Sequence, residues 1–176
     1  AAAEAIENNV RKLIIDEHPI NPKYYERMSK LLDALIEQRR KEALDYQEYL
    51  RRIVELTKKV ANPEVGGGYP IAMNTPGRRA LYDNLDKDEG LALAVDSAVR
   101  GSRQDDWRSN PFKIKMVKNA IRVALESAGA QVGGNADLTE AGVARDPTSV
   151  YGTNPPEPLE DRVQRILVLV RNQDEY

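Results

Sequence analysis

The sequence predicts an all-α protein, a helical bundle of about six to seven helices that includes an antiparallel hairpin. Three observations lead there. Apolar residues recur at three- and four-residue steps in segment after segment, the period of a helix face rather than of a strand. Aromatic residues make up only 6% of the chain while charged residues reach 31%, which suits an aliphatic helical core better than a β-sandwich. Cap residues followed by proline, Asn21-Pro22 and Thr75-Pro76, punctuate the chain where helices begin.

Residues 4–17 read as the first helix, with Ile6, Val10, Leu13 and Ile14 on one side. The chain opens AAAEAIE, helical in character with no cap before it, as a piece cut from something longer or a scar would. His18-Pro19 stops this helix, and His18 reads as a helix-end residue whose partly positive ring suits the dipole. Asn21 caps the second helix, and Pro22 suits its first position because the missing N–H would be unpaired there anyway. The stripe Tyr24, Tyr25, Met28, Leu31, Leu32, Leu35 and Ile36 runs along one face, with Arg27, Lys30, Asp33, Glu37 and Arg40 on the other, and the helix extends to about Glu42. Asp45-Tyr46-Gln47-Glu48 reads as a capping box in which Glu48 reaches back to Asp45. Tyr46, Tyr49, Leu50, Ile53, Val54 and Val60 continue the apolar spacing, and the short link folds the two helices into the hairpin.

NPEVGGGYPIAMN, residues 62–74, reads as a loop; its three glycines lack the lysine and Ser/Thr of a phosphate loop, and no strand precedes them. Thr75-Pro76 opens a short helix carrying Leu81, Tyr82 and Leu85, and Asp86 or Asp88 caps the next, with Leu91, Val95, Ala98 and Val99 inside. GSRQDDWRSNP interrupts the pattern, its two acids capping or solvating the junction and Trp107 plugging a core edge. After Pro111 a helix resumes with Ile114, Val117, Ala120, Ile121, Ala124 and Leu125 inward. Residues 129–158 hold five glycines and four prolines, a long loop or insertion, and a final helix over 159–173 presents Leu159, Val163, Ile166, Leu167 and Val170. The organisation this predicts is a helical bundle domain over 1–128, the 129–158 segment, and a C-terminal helix within 159–176 that packs on the bundle.

The absence of cysteine excludes disulfides, thiolate nucleophiles and Cys-based zinc sites, and it permits a reducing, cytoplasmic home. One histidine excludes classical triads and multi-histidine metal centres. No apolar run approaches the ~20 residues needed to cross a bilayer, so no membrane partner is expected. The expectation is a non-catalytic chain with no cofactor-binding or metal-binding residue. Charge is uneven: residues 100–122 hold seven basic groups against two acids, while 137–176 hold eight acids against four arginines. Lys115, Lys118 and Arg122 share a face at three- and four-residue spacing, a pattern fit for phosphates and equally an ordinary solvated face.

Four stretches, INPKYYERMSKLLDALIEQRR, DYQEYLRRIVELTKKV, ALYDNL and DDWRSNPFKIKMVKNAI, together resemble the C-terminal region of the restriction (R) subunit of type I restriction-modification enzymes. The resemblance covers roughly residues 4–127 and returns in the closing ILVLVRNQDEY; it rests on several motifs in order, with the hairpin tyrosines and the NPF-K-K run. In that family a nuclease and two ATP-driven, DNA-pumping motor domains precede a helical region. The resemblance implies that this region docks the R subunit onto the methyltransferase core, with the methyltransferase and specificity subunits as partners. None of the family's catalytic motifs has a counterpart here, neither a Walker lysine nor a DEAD-type acid nor a nuclease carboxylate. The 129–158 segment departs from the shorter connection the family would have. Docking residues are expected at an outward edge of the hairpin: Tyr24, Tyr25, Arg39, Arg40 and Lys41. The alternative is a module that guides duplex DNA by phosphate contacts through Arg108, Lys113, Lys115, Lys118 and Arg122, without reading sequence.

Overall fold

The cap residues set the helix starts. Asn21 accepts from the Tyr24 N–H, Asp45 from Glu48, Thr75 from Arg78 and Asp88 from Leu91, each giving an orphan donor of the first turn a partner. The protein's structure, a computed structural model, describes residues 2–133 and 155–176. Within them run α1 (Ala2–Glu17), α2 (Pro22–Arg40), α3 (Tyr46–Ala61), the single turn α4 (Pro63–Gly66), α5 (Pro76–Asn84), α6 (Glu89–Ser102), a 3-10 turn (Trp107–Ser109), α7 (Pro111–Gly133) and α8 (Leu159–Arg171). No strand occurs among the described residues, and the fold is an all-α bundle. Most of the Gly- and Pro-rich segment of 129–158 lies outside the described residues.

The α2–α3 hairpin turns where Glu42 takes a left-handed φ of 55°. The Glu42 N–H reaches the Arg39 carbonyl and the Ala43 N–H the Gln38 carbonyl, a glycine-type helix stop made without glycine. At the α3 start only half of the capping box forms. Glu48 does not reach back to Asp45; its carboxylate takes Arg51 and Arg52 at 2.7 Å, one turn further on, and their charge outcompetes a neutral backbone N–H. Glu48 is held at about 2, far below the ordinary carboxylate range, first by the hydrogen bond from Arg51 and then by that from Arg52.

The apolar core divides in two. Around α1, α2 and α3, residues Val10, Ile14, Tyr24, Tyr25, Met28, Leu32, Leu35, Tyr49, Ile53, Leu56 and Val60 form one cluster. Around α5 to α8, a larger one gathers Leu81, Leu85, Val95, Val99, Trp107, Val117, Ile121, Ile166, Val170 and Tyr176. The closing helix is thus an integral wall of the second core, in contact with α5 and α7. Four stripe positions differ from expectation: Leu31, Tyr46, Val54 and Leu159 are exposed, while Leu56, one turn from Ile53 and Val60, lies inside.

A polar seam joins the two cores where α2 meets α5. Asn21 Nδ2 donates to Asp83 at 2.8 Å and Asn84 Nδ2 donates to Asn21 Oδ1 at 2.9 Å. Gln173 Nε2 donates to the Ile20 carbonyl at 2.6 Å, tying the last residues to the α1–α2 link. The Tyr69 hydroxyl, from the loop after α4, also donates to Asp83.

Candidate docking face

Of the five hairpin residues expected at an outward edge, the two tyrosines are buried, at 0% exposure for Tyr24 and 4% for Tyr25. This corrects the expectation, and the reason is local. The last carbonyls of α3 have no intrahelical donor, and the two hydroxyls fill that role: Tyr24 donates to the Lys59 carbonyl, Tyr25 at 3.5 Å to that of Val60. Burial pushes the Tyr25 hydroxyl up to about 12, so it stays protonated. Arg39 is half-buried, forked onto Glu7 at 2.6 and 3.1 Å. Arg40 and Lys41 are exposed, with Lys41 paired to Glu37 at 2.9 Å.

The basic run fares similarly. Arg108 donates to the Arg171 carbonyl at 3.2 Å and to that of Gln173, and its guanidinium lies 5.3 Å from the Trp107 ring, so it closes the end of α8. Arg122 forks onto Glu160 of α8 at 2.7 and 2.9 Å. Lys113 reaches the Asp105 carbonyl, a neutral partner that leaves its charge uncompensated. Lys115 and Lys118 have no ion pair among the described residues. The five do not converge on one phosphate track: two arginines hold α7 and the 3-10 turn to α8, Lys115 is exposed, and Lys113 and Lys118 are half-buried.

Lys113 and Lys115 flank a feature that the sequence reading passed over. Along α7, Val117, Ile121 and Leu125 are buried in the second core. On the opposite side Phe112, Met116 and Val123 are exposed to 82%, 47% and 60%, and at 3.6 residues per turn they fall within about 40° of one another. α7 therefore carries two apolar faces, only one of which is covered among the described residues. The signal was present in the sequence: Phe112, Met116 and Val123 keep the helical step while standing out of phase with the inward stripe.

Two buried carboxylates were also missed. Glu7 is held by Arg39 and by the Tyr49 hydroxyl at 2.8 Å. Asp96, 1% exposed, accepts from Arg78 at 3.2 Å, Arg100 at 3.1 Å and the Tyr176 hydroxyl. Burial pushes Glu7 up, but the hydrogen bonds from Arg39 and Tyr49 outweigh it and its carboxyl sits below the ordinary value. A charge standing in an apolar stripe marks both: Glu7 lies between Ala3 and Val10, Asp96 beside Ala92, Val95 and Val99. Every polar group of the two clusters is satisfied from within, the arrangement of structural networks rather than of a reacting pair.

A cleft of about 510 Å³ opens at the seam between Leu13, Tyr25, Val60 and Pro76, its wall including Arg79 and Glu175, and another of about 600 Å³ lies between Pro22, Arg165 and Leu169. Among the described residues no group of three or more His, Asp or Glu side chains is placed to hold a metal ion, and no helix is long and apolar enough to cross a membrane. Comparison of the chain with models of protein families, with curated proteins and with solved structures finds no match.

Proposed function

We propose that this chain is a non-catalytic docking domain of the R subunit of a type I restriction enzyme, seating a DNA-translocating endonuclease subunit on its methyltransferase core. The reading rests on the ordered stretches from INPKYYERMSKLLDALIEQRR to DDWRSNPFKIKMVKNAI that resemble that region of the family. The observation that carries it is the uncovered apolar face of α7, since an exposed apolar stripe rimmed by charge is what a protein partner covers and what phosphates do not. The alternative, a surface that guides duplex DNA, keeps Lys113, Lys115 and Lys118, while Arg108 and Arg122 are engaged with α8 and its end.

Light scattering after size-exclusion chromatography, with and without the methyltransferase core and without DNA, separates the readings. Docking predicts a co-eluting complex that survives moderate salt, because an apolar centre loses little to screening. No complex, together with duplex binding that falls steeply with salt, would replace docking by phosphate contacts.

A further inference from the structure

We propose that the outward face of α7, from Phe112 to Val123, is the seat of one amphipathic partner helix whose apolar side is flanked by carboxylates. The proposal rests on the docking reading and deepens it by naming the face and the chemistry of what covers it. The stripe from Phe112 to Val123 spans about 16 Å of helix, three turns, enough for a packed helix–helix contact. Phe112 is the chain's only phenylalanine and lies at 82% exposure on a helix whose opposite side is fixed in the core. Such a rigidly mounted aromatic is an anchor that loses little freedom on binding.

Charge selects the occupant. Lys115 flanks the stripe on one side and Lys113 on the other, each about 80° from its centre. The first turn of α7 adds the positive end of the helix dipole beside Phe112. The acid nearest the stripe on α7 is Glu126, almost a turn beyond Val123. Glu160, from α8, is already occupied by Arg122. A second copy of this chain would bring the lysines of both copies together across the contact, whereas a helix edged with Glu or Asp would pair with them. Duplex DNA would meet two lysines and leave Phe112 and Met116 against phosphate, so its occupancy of this face is disfavoured.

The test uses the whole chain and two labelled peptides of about 18 residues, each with leucines at heptad a and d positions. One carries glutamates on the flanks, the other lysines, and binding is read by fluorescence anisotropy. The glutamate peptide is expected to bind at least about tenfold tighter than the lysine peptide. Phe112→Ser with Val123→Ser should remove about tenfold or more of that affinity, and Lys113→Glu with Lys115→Glu should remove the preference for glutamate. Unchanged circular dichroism and melting verify that the variants fold. Equal binding of the two peptides, wild-type binding by the Phe112/Val123 variant, or no binding at all overturns the proposal. So does a dimer of the chain that the Phe112/Val123 variant abolishes, or duplex binding that needs the lysines but not Phe112. The same variants are then run against the methyltransferase core. A complex that forms equally well without the stripe overturns the face while docking stands; peptide binding by the stripe with no complex at all overturns docking while the face stands.

Discussion

Glu7 in the α1–α3 core and Asp96 in the α5–α8 core are the same solution written twice: a carboxylate inside an apolar stripe, an arginine fork or pair, and a tyrosine hydroxyl. The reach differs. Glu7 draws Arg39 and Tyr49 from the two helices that pack on its own, whereas Asp96 takes Arg78 and Arg100 from its neighbourhood and Tyr176 from 80 residues away. Around Asp96 the residues Glu175 and Tyr176 are bound as well. Arg100 and the Gly77 N–H take the Glu175 carboxylate, Arg103 its carbonyl, and Trp107 Nε1 donates to the Tyr176 carbonyl at 3.1 Å. A Cβ on Gly77 would stand 2.5 Å from the Glu175 carboxylate and 2.8 Å from the Tyr176 ring, so any larger residue at that crossing displaces the clasp. The comparison teaches that the first core is closed by neighbours and the second by a long-range clasp.

Breaking the clasp should have the largest effect. Asp96→Ala removes the shared acceptor of Arg78, Arg100 and the buried Tyr176 hydroxyl, and a loss of about 3 kcal/mol is expected in a urea titration. Glu7→Gln should cost less, about 2 kcal/mol, because glutamine keeps the shape of the side chain and an amide oxygen that still accepts from Arg39 or Tyr49. The same carboxylate predicts an acid limit. Glu7 is lowered in the folded state from an ordinary value of 4.5, so its contribution is complete above about 4.5 and is lost as pH falls through the folded value. Stability measured from neutral pH downward should therefore fall more steeply in the wild type than in the Glu7→Gln variant. Equal slopes would show that Glu7 is not held as described.

Smaller effects sharpen the contrast. Glu42→Gly relieves a left-handed residue in the hairpin turn and should stabilise the protein by about 1 kcal/mol, read as an upward shift of the denaturation midpoint. Phe112→Ser with Val123→Ser, outside both cores, should move stability by no more than about 0.5 kcal/mol, and a larger loss would mean that the stripe is covered by this chain.

Local signals carried most of the fold. Asn21-Pro22, Asp45, Thr75-Pro76 and Asp88 each start a helix in the structure, and the stripes of α1, α5, α6 and α8 point inward as their spacing predicts. What the sequence left out is long-range or competitive. Spacing places Tyr24 and Tyr25 on the apolar face but says nothing of the α3 carbonyls that draw their hydroxyls inside. Glu48 had two candidate partners, and the arginines at three and four residues won over the backbone. Of the docking residues read from sequence, Arg40 and Lys41 remain on the surface while Arg39 is tied to Glu7, and of the phosphate-contact residues Arg108 and Arg122 are ties to α8 and its end; the α7 stripe was written in the spacing but hidden by the stronger inward one.

The clasp on Tyr176 also has a temporal side. The α1–α3 cluster is made wholly from residues 3–60, so it can close while synthesis continues, as early-emerging segments do. The α5–α8 cluster needs Val163 to Tyr176, and Asp96 and Trp107 wait for the last of these. On a translating ribosome the second core therefore stays open, its apolar faces accessible to chaperones, until residue 176 clears the exit tunnel. Force-sensitive arrest of chains lengthened stepwise would register two separate folding events, the later one only past that residue.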